Sequence, residues 1–328
     1  MASNLKQLFQ SFDGLKVLII GDVMLDSYIW GSVDRISPEA PVPVIAVKQK
    51  DSRLGGAGNV ALNIQSLGAT PILCALIGDD EDGKKFLLRL KEKGIGEEGI
   101  VVSADRPTTV KTRVIASHQH VVRVDEESDQ VVNAREERTL IERIAKLLPQ
   151  CDVVIFEDYD KGVISANIIS STVDLARRHN IPTVVDPKKR NFLAYNNVTL
   201  FKPNLKELRE GLKIDIDSAN PEQVSRAVEM LKLKLGVAGV MVTLSEHGVY
   251  IDYQDQKLRI PAHVRNIADV SGAGDTVVSI AAVCVALGQS PQLIAALSNL
   301  GGGLVCQYTG VVPINKDELL QEAADRRI

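Results

Sequence analysis

The chain has 328 residues, of which 45% are hydrophobic, and a formal net charge of −4 at pH 7, values typical of a globular protein with a substantial core. Its 38 Lys and Arg nearly balance its 42 Asp and Glu, and no basic run carries interleaved aromatics, so a nucleic-acid surface is not predicted. The sequence shows no signal-peptide pattern and no membrane-spanning run, which predicts a cytoplasmic protein.

Five short segments rich in β-branched residues predict buried strands. In chain order they are KVLIIG (16–21), PILCALIG (71–78), DVVIFE (152–157), PTVVD (182–186) and GVMVTL (239–244). Segments with apolar residues at helical spacing lie between them, for example 133–148 and 221–235. This alternation predicts an α/β fold with a doubly wound, mainly parallel sheet covered by helices on both faces, in which ligands bind beyond the carboxyl ends of the strands.

Two segments interrupt the alternation. Residues 41–49 and 108–127 have the period-two pattern of strands without an intervening helix. We interpret them as a small antiparallel β flap, or lid, inserted into a single domain that spans residues 1–328. Because lid strands leave unpaired edges and an apolar face, we expect a homodimer that forms through the lid.

The segment DVSGAGDT (269–276) combines a glycine-rich helix start with a carboxylate. Free N–H groups at such a start suit an anion, and glycine allows a ligand to approach the backbone closely. Asp275 would repel a bound phosphate unless it accepts a proton from an attacking hydroxyl, so the pattern suggests phosphoryl transfer to an alcohol. The alternative is a tight turn in which Asp275 only complements the helix dipole.

Two further helix starts could bind ligands. In FKPNLKEL (201–208), Asn204, Lys206 and Glu207 could serve a hydrated Mg²⁺ and a triphosphate, although the same pattern is typical of a helix cap. In RLGGAGNVALNIQSLGA (53–69), Asn59 supplies an uncharged donor suited to sugar hydroxyls, with a purely structural turn as the alternative. His118 and His120 alternate in a lid strand and could pair on a metal, but no third ligand lies nearby in the sequence, which favours a surface or ligand-contact role.

Six motifs, in order along the chain, resemble the ribokinase-like (PfkB-type) carbohydrate kinases: GDVMLD (21–26), GGAGN (55–59), DP (186–187), KPNLKE (202–207), TLSEHG (243–248) and DVSGAGDT (269–276). Within that family, RISPEAPVPV (35–44) is similar to a segment of the D-glycero-β-D-manno-heptose 7-phosphate kinases. The resemblance implies ATP-dependent phosphorylation of the anomeric hydroxyl to the 1,7-bisphosphate, for ADP-heptose and lipopolysaccharide synthesis. Some relatives carry a fused adenylyltransferase domain, and we expect only the kinase domain here.

The resemblance also implies the roles of individual residues. Asp275 would be the catalytic base, with the amides of Gly272, Ala273 and Gly274 as the anion hole. On the ATP side, Asn204 and Glu207 would hold Mg²⁺, mostly through water, and Lys206 would lie near the phosphates. Thr243, Ser245 and Gly248 would form the nucleotide-binding turn. The acceptor side would comprise Asp22, Gly55, Gly56 and Asn59, to which we add Asp26, Arg35 and Lys161 for the acceptor and its phosphate, with Arg113 and Arg123 as competitors.

Val270 stands where the family pattern usually has threonine, close to the monovalent-cation position of some relatives, so K⁺ is a possible but not a favoured cofactor. Two other functions stay open at this point. One is a different kinase of the same family, acting on ribose, a fructose phosphate or a nucleoside. The other is a catalytically silent nucleotide or sugar sensor, which would have no physical need for Asp275.

Overall fold

The computed structural model describes residues 2–116, 119–263 and 265–328. The strands in these residues are β1 (Lys16–Gly21), β2 (Val23–Ile36), β3 (Pro43–Gly56), β4 (Thr70–Gly78), β5 (Ile100–Ser103), β6 (Val110–Ala116), β7 (Gln119–Glu126), β8 (Val153–Glu157), β9 (Thr183–Asp186), β10 (Leu200–Phe201), β11 (Gly239–Thr243), β12 (Val249–Tyr253) and β13 (Gln256–Ile260). The α-helices are α1 (Ala2–Ser11), α2 (Ala57–Ser66), α3 (Glu81–Glu92), α4 (Ala134–Leu147), α5 (Ala166–Arg178), α6 (Leu205–Leu212), α7 (Pro221–Leu235), α8 (Ala273–Ala286), α9 (Pro291–Val305) and α10 (Lys316–Asp325).

A nine-stranded sheet forms the centre of the fold, in the order β13-β12-β11-β10-β9-β8-β1-β4-β5. Seven strands, β11-β10-β9-β8-β1-β4-β5 in sheet order, are parallel to one another. β12 and β13 add an antiparallel edge next to β11. All five predicted strands lie in this sheet. The predicted mainly parallel α/β fold is therefore confirmed.

Both faces of the sheet are covered, as the continuous apolar runs of its strands predict. In β1, Val17 and Ile19 belong to a core cluster on one face, together with residues of α2, α8 and α9. Leu18 and Ile20 belong to a second cluster on the other face, with residues of α4, α5 and α7. The alternation of side chains along the strand explains why one segment serves both cores.

Local signals explain where the helices begin and end. At the start of α4, Asn133 and Glu136 form a capping box. Helix α7 begins with Pro221 behind the cap residue Asn220 and ends at Gly236, whose φ of 65° suits glycine. Helix α8 is buried along nearly its whole length, as its apolar sequence predicts. No helix in the described ranges has the length and apolar character needed to cross a bilayer.

A separate four-stranded sheet, in the order β3-β2-β6-β7, forms the lid. β2 and β3 make a long antiparallel hairpin, and β6 pairs with β2 in parallel and with β7 antiparallel. The predicted lid segments 41–49 and 108–127 both lie here, but the prediction was incomplete, because it missed β2 and ended the first lid strand too early. His118 lies outside the described residues, so the predicted pair with His120 is not described.

Candidate active site at the start of α8

The start of α8 lies at the carboxyl edge of the main sheet. Gly272 is its cap residue, with φ of 80°, and a glycine has no side chain to accept from the amides of the first turn. Gly274 lies against the end of β9, because a Cβ built on it would be 3.4 Å from Asp186 Oδ2. The helix start therefore presents free N–H groups and the positive end of the helix dipole beside buried charged groups.

Asp275 is 4% exposed and is held by two donors. Asn59 Nδ2 donates to its Oδ2 at 2.7 Å, and the Tyr159 hydroxyl donates to its Oδ1 at 2.8 Å. Burial raises the pKa of Asp275, while the hydrogen bonds from Asn59 and Tyr159 lower it. The carboxylate is thus fixed in one orientation and made more basic than an exposed aspartate, as proton acceptance requires.

A buried cluster of carboxylates and lysines lies beside the helix start. Lys202 Nζ is 2.8 Å from Asp186 Oδ2, and Lys188 Nζ is 2.6 Å from Glu207 Oε1. Burial lowers the pKa of Lys202, but Asp186 and Glu207 outweigh it and raise that pKa above the usual value. At Lys188 too, burial lowers the pKa but Asp186 and Glu207 outweigh it and raise that pKa. Both lysines are therefore charged, and Lys202 lies beside Gly274.

Glu157, at the end of β8, is fully buried, and neither of its carboxylate oxygens has a hydrogen-bond partner among the described residues. Burial, followed by the negative charges of Asp186 and Asp275, raises its pKa well above the usual value. Asp186 Oδ1 likewise has no hydrogen-bond partner there. Buried polar atoms without hydrogen-bond partners are uncommon, and these carboxylate oxygens are the unused acceptors of the cluster among the described residues.

Asp22, predicted to contact a sugar hydroxyl, has other partners in the structure. Its carboxylate accepts from the backbone N–H groups of Tyr159 at 2.8 Å, Lys161 at 3.1 Å and Val163 at 3.1 Å. Burial, and then the charge of Asp158, raises its pKa to about 6. Asp22 therefore holds the turn that places the Tyr159 hydroxyl against Asp275.

We expect Asp22→Ala to lower the free energy of unfolding by about 2–5 kcal/mol, because three backbone N–H groups lose their acceptor. Urea denaturation measures this change. Asp152→Ala is the matched control, since the exposed Asp152 carboxylate accepts a single backbone N–H, from Lys16, at 2.7 Å. A loss no larger than that of the control would contradict the role of Asp22.

The segment after β10 forms a capped helix start. Asn204 Oδ1 accepts from the Glu207 N–H at 2.8 Å, and Glu207 Oε2 accepts from the Asn204 N–H at 2.8 Å. The cap that the sequence left as an alternative is thus present, and Glu207 also faces the lysine cluster. Lys206 does not face this cluster, because its side chain is 83% exposed and its Nζ lies 3.8 Å from Glu210 Oε1. The phosphate contact of Lys206 stays a prediction, and the lysines that lie in the buried cluster beside the helix start are Lys188 and Lys202.

A cleft of ≈ 480 Å³ opens beside the helix start and is large enough for a small-molecule ligand. Its lining includes Thr243, Ser245 and Gly248 of the predicted nucleotide turn, together with Ala273 and Gly274. The structure therefore brings the predicted nucleotide turn and the predicted anion hole to one cavity.

The predicted acceptor residues lie where the lid joins the main sheet. A Cβ on Gly56 would be 2.4 Å from the Asp22 carbonyl oxygen at a φ of 58°, so this position requires glycine. A Cβ on Gly55 would be 2.1 Å from Asp26 Oδ2 and would displace that side chain. Asp26 is 3% exposed and pairs with Arg113. Asn59, expected to contact the sugar, contacts the Asp275 carboxylate directly.

The other predicted cations are less well placed. Arg35 is exposed, nine residues along β2 from Asp26, which corresponds to roughly 30 Å of strand. Lys161 Nζ is 2.7 Å from Glu127 Oε1 at the lid. Asp269, next to Val270, accepts hydrogen bonds on both carboxylate oxygens, from Ser271 on Oδ1 and from the Gly310 N–H on Oδ2. K⁺ dependence stays a prediction.

Comparisons with known proteins identify the family of the chain. The model of the "pfkB family carbohydrate kinase" matches residues 15–317. The chain belongs to the pfkB family of carbohydrate kinases. It is 37% identical over 323 residues to the bifunctional protein HldE of Syntrophotalea carbinolica, an alignment that covers 98% of this chain and 66% of that protein. The corresponding protein of Helicobacter pylori strain J99 is 37% identical over 305 residues, with 93% and 65% covered.

Solved structures show the same fold at low sequence identity. Phosphofructokinase-2 from Escherichia coli in complex with potassium is 18% identical, with a TM-score of 0.79 and coverage of 96% of this chain and 100% of that one. Ribokinase from Arabidopsis thaliana, complexed with ribose and ATP, is 19% identical, with a TM-score of 0.72 and coverage of 94% and 99%. The pfkB chain described here is thus an ATP-dependent carbohydrate kinase, and it spans about 66% of the length of the first HldE relative.

Sequence reasoning missed several residues of the candidate site of this pfkB kinase. Tyr159 lies in EDYDKG (157–162), a segment that follows a predicted strand, and its position two residues beyond Glu157 was the available signal. Lys188 and Lys202 follow the strands β9 and β10, where charged side chains at strand ends commonly face a ligand. Their inward orientation depends on the packing between these strands, which no single motif shows.

Proposed function

We propose that this kinase transfers the γ-phosphoryl group of ATP to the anomeric hydroxyl of D-glycero-D-manno-heptose 7-phosphate. The product would be the 1,7-bisphosphate used for ADP-heptose and lipopolysaccharide core synthesis. The observation that carries the proposal is Asp275, a buried, doubly hydrogen-bonded carboxylate directly behind a glycine helix start. The lid segment RISPEAPVPV and the HldE relatives support the choice of acceptor.

In the proposed reaction Asp275 accepts the proton of the anomeric hydroxyl as its oxygen attacks the γ-phosphorus. Asn59 and Tyr159 keep the carboxylate oriented, and each of its oxygens retains a lone pair for the acceptor hydroxyl. A phospho-enzyme intermediate is not required. Removing the proton as the new bond forms makes the hydroxyl a stronger nucleophile.

Positive charge around the transferring group would come from three sources in this chain. The amides of Gly272, Ala273 and Gly274 lie at the positive end of α8, and Lys202 lies beside them, 3.9 Å from a Cβ built on Gly274. Lys188 lies next to Glu207 in the same cluster. Fixed donors of this kind stabilise the charge that spreads over the phosphoryl oxygens in the transition state.

The residues present fit a hydrated Mg²⁺. No described set of three or more His, Cys, Asp or Glu side chains could hold a metal directly, and Mg²⁺ usually retains several waters. The ion would be held by Glu207 and by Asp186 Oδ1, which is buried without a hydrogen-bond partner among the described residues. The side-chain oxygen of Asn204 is already used in the helix cap. The ion would neutralise phosphate charge and orient the triphosphate.

We assign the cleft at Thr243, Ser245 and Gly248 to the nucleotide, because it ends at the same helix start. The acceptor would lie on the opposite side, between Asn59, Asp26 and the lid. Closure of the lid over the acceptor would exclude water and suppress ATP hydrolysis.

We propose that residues 1–328 form one kinase domain with the lid inserted, and that the lid comprises β2, β3, β6 and β7.

We also propose a homodimer that forms through the lid. Val122 and Val124 of β7 are 51% and 49% exposed, and Val122 pairs with Val114 on the same face of the lid sheet. An exposed apolar sheet face with an open edge favours pairing with a second copy. Light scattering should give a dimer, and Val122→Asp should shift it towards monomer by at least about tenfold in dissociation constant. A monomeric unmodified chain at working concentration would contradict this proposal.

ATP consumption with Mg²⁺ tests the acceptor assignment across a panel of D-glycero-D-manno-heptose 7-phosphate, fructose 6-phosphate, ribose and adenosine. We expect turnover with the heptose phosphate in clear preference to the others. Turnover of another acceptor would retain the role of Asp275 and reject the heptose. Tight ATP binding without turnover of any acceptor would support the silent sensor.

A further inference from the structure

One face of the lid sheet carries charged residues in register across three of its strands, β3, β2 and β6. Asp26 pairs with Arg53 on β3 and with Lys111 on β6, so these three side chains project from the same face. In the next row, Tyr28 pairs with Arg113 on β6. Tyr28 also fixes the direction of this face, because its hydroxyl accepts from the backbone N–H of Val311, in the loop after α9, at 3.4 Å.

Two guanidinium groups lie against the ring of Tyr28. The Cζ atom of Arg53 is 5.1 Å from the ring centroid and that of Arg113 is 5.5 Å from it, both within cation–π range. Each arginine is also paired with a carboxylate, Arg53 with Asp51 through Nε and Arg113 with Asp26 through Nη1. Within the described part of the chain, their other hydrogen bonds use only Nη1, from Arg53 to the Val311 carbonyl oxygen and from Arg113 to the Lys111 carbonyl oxygen. Both arginines therefore retain N–H donors that a further anion could use.

Direct contacts connect this pair to the catalytic helix start. A Cβ on Gly310 would be 3.0 Å from the Tyr28 hydroxyl and 3.3 Å from Arg53 Nη1. A Cβ on Gly272 would be 3.3 Å from Val311 Cγ1 and 3.0 Å from Asn59 Nδ2. The 310–311 loop thus contacts both the arginine pair and the helix start, so one loop separates the arginines from the start of α8.

The other candidate cations are less suited to this role. Arg123, next to Arg113 in the register, lies on the edge strand β7, is 57% exposed and pairs with Asp125 at 2.9 Å. Lys161 and Lys111 both pair with Glu127, at 2.7 and 2.9 Å. Neither shares the stacking on Tyr28 that orients Arg53 and Arg113.

We propose that Arg53 and Arg113, aligned on the ring of Tyr28, form a subsite for a phosphate monoester at the end of the acceptor opposite to the attacked hydroxyl. The geometry of two guanidiniums suits a phosphate dianion, which accepts several charge-assisted hydrogen bonds at once. This inference rests on the proposed function and deepens it, because it assigns the residues that select a phosphorylated acceptor.

The test compares each acceptor with its partner that lacks the phosphate: heptose 7-phosphate with heptose, and fructose 6-phosphate with fructose. The measured quantity is the ratio of kcat/KM for the two members of a pair. Arg53→Gln and Arg113→Gln should each lower this ratio about 10- to 100-fold, mainly through KM of the phosphorylated member, with little change in KM for ATP. Because the ratio cancels effects common to both acceptors, release of Asp26 in the Arg113 variant does not imitate the result.

Lys50→Gln is the matched control, since Lys50 pairs with Ile29 and therefore projects from the other face of β3. Arg123→Gln tests the rival residue. An unchanged ratio in both arginine variants, or an equal loss in the Lys50 or Arg123 variant, would overturn the subsite. An unmodified enzyme that phosphorylates sugars but does not favour phosphorylated ones would overturn it too, and with it the heptose 7-phosphate assignment, while the kinase chemistry would stand.

Calorimetric binding keeps the test independent of turnover. Heptose 7-phosphate should bind the unmodified enzyme more tightly than heptose, and the two arginine variants should lose that difference even if no acceptor is turned over. Equal affinity of the unmodified enzyme for both sugars, or no measurable binding of either, would overturn the subsite.

Discussion

Asp275→Asn is expected to lower turnover by roughly 10²-fold or more while the affinity for ATP changes little. The amide cannot accept the proton of the attacking hydroxyl, but it preserves the size of the side chain and leaves the nucleotide cleft intact. Its NH₂ group would also face one of the two donors, Asn59 or Tyr159, that hold the carboxylate. Steady-state kinetics and calorimetric ATP binding on the same preparation measure the two quantities.

The matched control for this variant is Asp252→Asn. Asp252 is 2% exposed and pairs with Lys232 at 2.5 Å on the antiparallel edge of the sheet, away from the helix start. It should lose stability and keep turnover, because removing one partner of a buried ion pair is destabilising wherever it lies. Normal turnover in Asp275→Asn, or an equal loss in both variants, would contradict the assignment of the base.

Tyr159→Phe is expected to lower kcat about tenfold and to move the acidic limb of the rate profile to higher pH. The hydroxyl of Tyr159 lowers the pKa of Asp275, which burial raises. Without this donor the pKa of Asp275 rises further, so a larger fraction of the base is protonated at a given pH below neutral. The measurement is kcat and kcat/KM across pH, which separates this effect from a simple loss of folded protein.

Tyr195→Phe provides the comparison for Tyr159. The Tyr195 hydroxyl also donates to a buried carboxylate, that of Asp158, at 2.7 Å, and the ring is fully buried. This variant should lose stability without shifting the pH profile of activity. If Tyr159→Phe also leaves the profile unchanged, the hydrogen bond to Asp275 has no role in setting its pKa.

The sheet and helices of the main fold could largely be predicted from sequence, because its strands are short, buried and continuous in apolar residues. β2 was missed for a physical reason. It is buried at Val23 and Met24 but exposed from Val33 onwards, and Asp26 and Arg35 interrupt its apolar pattern. The hairpin of β12 and β13 was also missed. β13 is partly exposed and carries Gln256, Lys257 and Arg259, whereas β12 is buried but has Asp252 among its five residues.

The site was predictable where one motif contains both the backbone and the chemistry, as at Gly272 to Asp275. It was not predictable where residues distant in the chain converge. Lys202 and Lys206 lie in the same motif, yet Lys202 directly follows the buried strand β10 and points inward, whereas Lys206 lies on the exposed side of the first turn of α6. Tyr159 reaches Asp275 only because Asp22 holds its turn, and that contact joins residues more than a hundred positions apart.

The most direct measurement is ³¹P NMR of the product formed from ATP, Mg²⁺ and D-glycero-D-manno-heptose 7-phosphate. The proposed function predicts a new phosphate resonance coupled to the anomeric proton, with the 7-phosphate retained and ADP formed in equal amount. A phosphate on any other hydroxyl, or ADP formed with free phosphate and an unchanged heptose, would contradict transfer to the anomeric oxygen under the control of Asp275.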